Sequence, residues 1–164
     1  MNFPDEIKVN GRVRVCLELV KGLQLKDKVL VDIGSSFGWL ERGISGTGLK
    51  KIIGIEPNNK ALNFAKKNIP NVDFRNGDAL KTGLPNSSSD IVVLFDVIEH
   101  VPKHSENKVF DEVRRILKKG GVLLLSTPNN YFLNNLLAPA WYFGHRHYPV
   151  RDITKLIESS GFSI

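Results

Sequence analysis

Short apolar runs along the chain alternate with stretches in which apolar residues recur every three or four positions. The apolar runs are rich in β-branched residues and predict five strands, at residues 28–33, 52–55, 72–75, 91–95 and 122–126. The amphipathic stretches predict helices at residues 13–20, 39–45, 59–68, 104–119 and 152–160. Because runs that are apolar on both faces suit buried strands, the alternation predicts an α/β domain with a doubly wound sheet of parallel strands flanked by helices.

The 164 residues fit a single domain that buries its own core. Within it we distinguish an N-terminal helical segment (1–25), a core of strands and helices (28–127), and a last helix followed by the beginning of a sixth strand (150–164). The remaining segment, 128–149, is long for a connection and rich in aromatic residues, asparagine and histidine. Long loops above an α/β sheet often carry function, so we predict that this segment forms a lid over an acceptor site.

The chain is basic, with a formal net charge of +6, but its lysines and arginines are spread over predicted helix surfaces beside acidic residues. This distribution is typical of solvated helix faces and disfavours a nucleic-acid partner. The single cysteine, Cys16, excludes a disulfide framework and a multi-cysteine metal site; we expect it in the core and expect no bound metal. No apolar run has membrane-spanning length and no leader-like start is visible, which predicts a cytoplasmic protein.

A turn of small residues follows the first predicted strand. It runs from Gly34 to Gly38, directly after Asp32. Ligands of open α/β sheets bind beyond the carboxyl ends of the strands, and small residues there let a ligand approach the backbone at a helix N-terminus. Glycines also serve simply to make tight turns. The G-x-x-x-G spacing does not match the dinucleotide fingerprint, which disfavours a nicotinamide-dependent dehydrogenase.

Acidic residues follow the second and third predicted strands. Glu56 lies 24 positions after Asp32 and can accept hydrogen bonds from ribose hydroxyls, or it is a solvated loop acid before Pro57. Asp78 can accept a hydrogen bond from the exocyclic amine of adenine, or it forms an Asx turn around Gly77. The sequence alone leaves both pairs of alternatives open.

The fourth predicted strand is followed by Asp96, Glu99 and His100. Two acids and a histidine at a strand end suit the binding of a cationic group or the transfer of a proton. Helix capping and ordinary surface polarity are the alternative explanations.

The stretches VLVDIGSSFGWLE, IIGIEPN, NGDAL, DIVVLFDVIEHV and LKKGGVLLLSTPN together resemble the class I S-adenosylmethionine-dependent methyltransferases. The resemblance covers residues 30–128, extends to 162, and is strongest to small-molecule O-methyltransferases, including enzymes of quinone biosynthesis. It implies S-adenosyl-L-methionine as the cofactor and a Rossmann-like sheet. It also implies a final antiparallel strand pair, which we expect to be largely missing here, by truncation or lack of order. The fifth strand would then be an exposed edge on which a homodimer can form.

The resemblance assigns roles within the glycine turn. Asp32 and Gly34 are expected to hold the methionine end of the cofactor, and Gly38 is expected to open the turn. Ser35 and Ser36 complete this part of the site. Ser36 stands where the family often has a glycine, and because serine is small we expect cofactor binding to survive the change.

The resemblance also assigns roles to the acids at the strand ends. Glu56 is expected to bind the ribose, Asp78 and the backbone of Ala79 to contact adenine, and Asp96 to flank the methionine and sulfonium region. The neighbours that complete the predicted cofactor set are Pro57 and Val97.

The implied reaction is the transfer of a methyl group from the sulfonium to a small-molecule acceptor, an oxygen, by in-line displacement. Candidate general bases are His147, His145 and His100, in that order. One alternative is methylation of RNA or another macromolecule; no Asn/Asp-Pro-Pro-aromatic motif follows the fourth strand to favour it. The second alternative is a cofactor-binding domain without catalytic activity.

Overall fold

A computed structural model describes residues 11–128 and 146–164 of the chain. Its sheet has the strands β1 (Val29–Ile33), β2 (Lys51–Ile55), β3 (Asp73–Arg75), β4 (Ser89–Phe95) and β5 (Leu117–Ser126). They lie in the order β3-β2-β1-β4-β5, and every neighbouring pair is parallel. The predicted doubly wound parallel sheet is confirmed. The strand order reverses between β1 and β4, which is where such sheets bind ligands.

Five helices surround the sheet in the described part of the chain: α1 (Gly11–Lys21), α2 (Trp39–Ile44), α3 (Asn59–Asn68), α4 (Glu106–Ile116) and α5 (Val150–Ser159). Asn58 caps α3 with its side-chain oxygen, which accepts from the amides of Lys60 and Ala61. Gly161 follows α5 with a φ of 85°, the left-handed conformation expected at a helix end.

The core has two layers because alternate residues of a strand point to opposite faces of the sheet. Val31 of β1 belongs to the cluster that includes Phe110 of α4 and Ile153 of α5. Leu30 belongs to the opposite cluster, with Cys16 of α1 and residues of α2. Cys16 is 4% exposed, as expected for a core residue.

The junction of α4 and β5 corrects one predicted boundary. The sequence pattern predicted a helix that continues to Lys119 with Gly120 as its C-terminal cap. The helix instead ends at Ile116, because Leu117 adopts an extended conformation and pairs with Ser89 of β4. Gly120, with a φ of 74°, lies in an irregular part of the β4–β5 pairing.

The strand β5 forms one edge of the sheet. The homodimer that we expect at this edge stays a prediction, and sedimentation of the purified protein at several concentrations will test it. None of the helices in the described ranges combines the length and apolar character that crossing a bilayer requires.

Candidate functional site

A cavity of about 500 Å³ lies beyond the carboxyl ends of β1, β2 and β4. Nine of the residues predicted to bind cofactor or act as a base line it: Gly34, Ser36, Glu56, Pro57, Asp78, Ala79, Asp96, Val97 and His100. Asp32, Ser35 and Gly38 do not belong to its wall: Asp32 is a buried residue of β1, and Ser35 and Gly38 belong to the turn itself. His147 is half-buried outside the wall, and His145 lies outside the described residues.

The glycine turn is anchored to β2 through its backbone. The amides of Gly34 and Ser35 both donate to the carbonyl of Ile55, at 2.8 and 3.1 Å. Gly34 has a φ of 88°, and a Cβ atom added to it would collide with the side chain of Val97 across the turn. The turn therefore requires glycine at this position, both for its conformation and for the space that it leaves on the cavity wall.

Gly38 serves a different purpose from Gly34. A Cβ atom added to Gly38, whose φ is 82°, would lie 2.5 Å from Cδ1 of Ile69 and 3.0 Å from Cζ of Phe74. This glycine therefore lets the turn pack closely against the hydrophobic cluster that α3 and β3 form.

Ser36 has a φ of 50°, so a residue with a side chain occupies the left-handed region. That conformation costs a residue other than glycine about 1–2 kcal/mol. We therefore expect Ser36→Gly to relieve strain, partly offset by the greater entropy of glycine in the unfolded chain, and to raise the melting temperature by about 1–3 °C. Calorimetric melting beside Ser45→Gly tests this, because Ser45 has a φ of −58° and no such strain to lose. A lower melting temperature for Ser36→Gly would contradict the prediction that Ser36 is held in a strained conformation.

Glu56 connects the end of β2 to the glycine turn. It is 8% exposed, and its two carboxylate oxygens accept from the amides of Ser36 (2.9 Å) and Asn58 (2.8 Å). Each carboxylate oxygen can accept a second hydrogen bond. Glu56 is thus a buried acceptor on the cavity wall rather than a solvated loop acid, and its role toward a ribose stays a prediction.

Asp78 forms a turn and also lies at the cavity, so its contact with adenine stays a prediction. Its Oδ1 accepts from the amides of Leu80 (2.8 Å) and Lys81 (2.9 Å), which is an Asx turn. The residue also lies on the cavity wall beside Ala79. The Asx turn therefore holds this carboxylate at the cavity.

Asp96 lies at the end of β4 in a left-handed conformation, with a φ of 53°. Its Oδ2 accepts from Nη1 of Arg12 at 2.9 Å, and its Oδ1 accepts from the hydroxyl of Ser126 at 3.1 Å. Sequence reasoning missed Arg12, which α1 brings across 84 positions; it appeared only as one of many dispersed basic residues. The ion pair is partly exposed, so its contribution to stability is small.

Glu99 is buried next to Asp96, with 4% exposure. Burial and the charge of Asp96 raise its pKa to about 7, while the hydroxyl of Thr127 donates to its Oε2 at 3.1 Å. His100 follows it on the cavity wall and is itself exposed. The end of β4 thus carries a buried acid that can exchange a proton near neutral pH, followed by a histidine on the cavity wall.

An acid that sequence reasoning missed lies behind the turn. Glu41 of α2 is fully buried, and neither of its carboxyl oxygens has a hydrogen-bond partner in the described ranges. It lies against Gly54, the residue that pairs with Asp32, which is 4% exposed. Burial raises the pKa of both carboxyl groups. The available signal was a polar residue on the inward face of α2, next to the buried Leu40 and one turn before Ile44.

Arg146, near the end of the predicted lid segment, forms hydrogen bonds to the loop after β4 and to the first residue of α4. Its guanidinium donates to the carboxylate of Glu106 at 2.7 Å and to the carbonyls of Ile98 and Val101. The hydroxyl of Tyr148 donates to the same carboxylate at 2.9 Å. These contacts hold the chain after residue 145 against the segment that carries His100.

Comparison with known proteins agrees with this geometry. Residues 31–125 match the family described as "Methyltransferase domain". A Mycolicibacterium smegmatis protein named "Probable S-adenosylmethionine-dependent methyltransferase" is 33% identical over 116 residues, 70% of this chain and 44% of the relative. The Campylobacter jejuni ubiquinone/menaquinone biosynthesis C-methyltransferase is 30% identical over 120 residues, 70% of this chain and 50% of the relative. The chain thus spans half or less of the length of these two relatives.

The fold is also found in solved structures. The crystal structure of the PH0226 protein from Pyrococcus horikoshii superposes with a TM-score of 0.75 at 20% identity, covering 96% of this chain and 86% of that one. At this level of identity the match concerns the fold, and it confirms the arrangement of strands and helices around the cavity.

Proposed function

The chain belongs to the class I S-adenosylmethionine-dependent methyltransferases, whose cofactor is S-adenosyl-L-methionine, and we propose that it methylates a hydroxyl oxygen of a small-molecule acceptor. The observation that carries this proposal is the acidic wall of the cavity in a basic chain. Glu56, Asp78 and Asp96 all line it, although the formal net charge is +6. A cavity of this character suits a cationic ligand.

The residues present fit the cofactor. The wall at Gly34 has no side chain, and a Cβ atom there would fill the space in front of Val97. Glu56 keeps acceptor capacity for the two ribose hydroxyls after its backbone contacts are made. Asp78 and Ala79 would contact the adenine, and Asp96 would face the methionine end.

The bound cofactor supplies a methyl group that is already activated on a sulfonium, so the protein needs only to position the acceptor and exclude water. The carboxylates of Glu56 and Asp78 orient the nucleoside end. The charge of Asp96 is partly neutralised by Arg12, which limits how strongly this acid stabilises a ground-state cation. Deprotonation of the acceptor hydroxyl then requires a base at the open end of the cavity.

We propose His100 as that base, because it lies on the cavity wall and His147 does not. We expect His100→Ala to lower kcat about a hundredfold or more, with an unchanged dissociation constant for S-adenosylhomocysteine. His147→Ala is the comparison variant and is expected to retain turnover. The opposite result, loss of turnover only in His147→Ala, would transfer the role to His147.

A small-molecule acceptor is favoured by the absence of a basic stripe in the sequence and by the name of the Campylobacter jejuni relative, which acts in quinone biosynthesis. The direct test is transfer of a labelled methyl group to a panel of phenols, hydroquinones and hydroxy acids, with tRNA as a parallel substrate. Labelling of tRNA alone would support a macromolecular acceptor. Tight cofactor binding without any transfer would support a binding domain.

A further inference from the structure

The glycine turn is bracketed by two buried acids. Asp32 lies in β1 just before it, and Glu41 lies in the first turn of α2 just after it. Gly54 pairs with Asp32 between β1 and β2, and a Cβ atom added to Gly54 would lie only 2.8 Å from Oε1 of Glu41. The carboxyl group of Glu41 therefore reaches from α2 to the part of the sheet that carries Asp32, behind the turn.

Two buried acids this close together favour a proton on one of them. Within residues 11–128 and 146–164, no donor group is within hydrogen-bonding distance of either oxygen of Glu41. Two ionised carboxylates would both be acceptors and would repel each other in this buried position. A hydrogen bond between the two carboxyl groups can form only if one of them is protonated.

The neighbours of the pair among the described residues can be named. The charge of Glu56 acts on Asp32, and the charge of Asp32 acts on the thiol of Cys16. On the β2 side, the missing side chain of Gly54 makes room for the carboxyl group of Glu41. Within residues 11–128 and 146–164, these neighbours are acidic, neutral or apolar.

We propose that Glu41 is a positioning residue of the cofactor site: in its protonated form it donates a hydrogen bond to Asp32 and thereby holds the glycine turn in its binding conformation. Glu41 is the donor because neither of its oxygens has a hydrogen-bond donor within reach in the described ranges, so its ionised form would be buried without a partner. Asp32 then remains the anion. Part of this inference, the effect on cofactor affinity, rests on the proposed function.

The proton on Glu41 makes the stability of the fold decrease as the pH rises. Burial raises the pKa of Glu41 well above its ordinary value, and the charge of Asp32 raises it further. The folded protein therefore holds a proton that the unfolded chain releases at about pH 4–5. The stabilisation by this proton is complete below that pH and is lost as the pH rises through the raised pKa of the folded state.

Two substitutions of Glu41 distinguish its role as a hydrogen-bond donor from the loss of its proton with rising pH. Glutamine keeps a donor of the same shape but has no proton to lose, whereas leucine removes the donor. Glu99, whose pKa is raised to about 7, titrates in both proteins. We therefore expect the melting temperature to fall between pH 6 and pH 8.5 by about 3 °C or more further in the wild type than in Glu41→Gln. We expect Glu41→Leu to bind S-adenosylhomocysteine about tenfold more weakly than Glu41→Gln at pH 7.

Glu112→Gln is the matched control for a buried acid elsewhere. Hydrogen bonds from Arg115 lower the pKa of Glu112 to about 2, so it is already ionised throughout the range from pH 6 to 8.5. Its variant is expected to be less stable than the wild type by an amount that does not change across this range. A slope equal to that of Glu41→Gln would show that the effect is not specific to the pair.

Two measurements distinguish failure of this inference from failure of the proposed function: thermal melting without cofactor, and calorimetric titration with S-adenosylhomocysteine. Equal pH dependence of melting in wild type and Glu41→Gln would overturn the shared proton, whether or not cofactor binds. An unchanged affinity in Glu41→Leu, with cofactor bound by the wild type, would overturn the positioning role. If the wild type binds no S-adenosylhomocysteine, the proposed function fails while the melting comparison still decides the question of the proton.

Discussion

Replacing Gly34 with valine is expected to abolish cofactor binding, with a loss in affinity of at least about a hundredfold, which corresponds to about 2.7 kcal/mol. Two effects combine. Gly34 has a φ of 88°, a conformation that β-branched residues rarely adopt, and its Cβ atom would collide with Val97 on the cavity wall. The added side chain also fills the space through which a ligand reaches the turn. Calorimetric titration with S-adenosylhomocysteine measures the loss.

A matched control separates backbone strain from filling of the site. Gly46 has a φ of 82°, nearly that of Gly34, but a Cβ atom added there meets no atom within 4 Å. Gly34→Ala and Gly46→Ala therefore introduce similar backbone strain, and both are expected to lower the melting temperature by a few degrees, with a larger decrease for Gly34→Ala because its Cβ atom also collides with Val97. Only Gly34→Ala is expected to weaken cofactor binding. Wild-type affinity in Gly34→Val would place the cofactor elsewhere.

The sequence predicted those parts of the fold and site that depend on local pattern. Short runs of apolar and β-branched residues identified the five strands of the described sheet, because strands inside a parallel sheet are apolar on both faces. The rule that ligands bind at carboxyl ends of strands then located Glu56, Asp78 and Asp96, which the fold brings to one cavity. Their positions required knowledge only of where each strand ends.

Contacts between distant segments could not be predicted in this way. Arg12 reaches Asp96 only because α1 packs over the end of β4, and nothing in its local sequence distinguishes it from Arg14, which pairs with Glu18 on the helix surface. The burial of Glu41 could not be predicted for a related reason. A helix of six residues is too short for its periodicity to show which polar residue points inward.

The electrostatics of the site also differ from those of the chain as a whole. A net charge of +6 suggests an anionic partner, but the dispersed basic residues do not form the cavity wall. Burial raises the pKa of Glu99, beside the cavity, and of the buried pair Asp32 and Glu41 behind the turn. The charge near the cavity thus depends on whether Glu99 and this pair hold their protons, and it varies with pH.

Replacing Glu56 with alanine is expected to raise the dissociation constant for S-adenosylhomocysteine about 10- to 100-fold. A hydrogen bond to a charged acceptor contributes about 1.5–3 kcal/mol, and each 1.4 kcal/mol corresponds to a factor of ten. The variant loses the ribose acceptor and also leaves the amides of Ser36 and Asn58 without their carboxylate. At saturating cofactor, kcat is expected to change much less, because the ribose is remote from the reacting methyl group.

Two further variants show whether affinity depends on this carboxylate in particular. Glu56→Gln retains one carbonyl oxygen but turns its NH2 group toward one of the two backbone amides, so only partial recovery is expected. Asp90→Asn is the matched control, since Asp90 also accepts from a backbone amide, that of Val29 at 2.9 Å, but at the opposite end of the sheet from the cavity. It is expected to lower stability with unchanged cofactor affinity. If Glu56→Ala binds S-adenosylhomocysteine as tightly as the wild type, the ribose is held by other groups and the carboxylate serves only to anchor the turn.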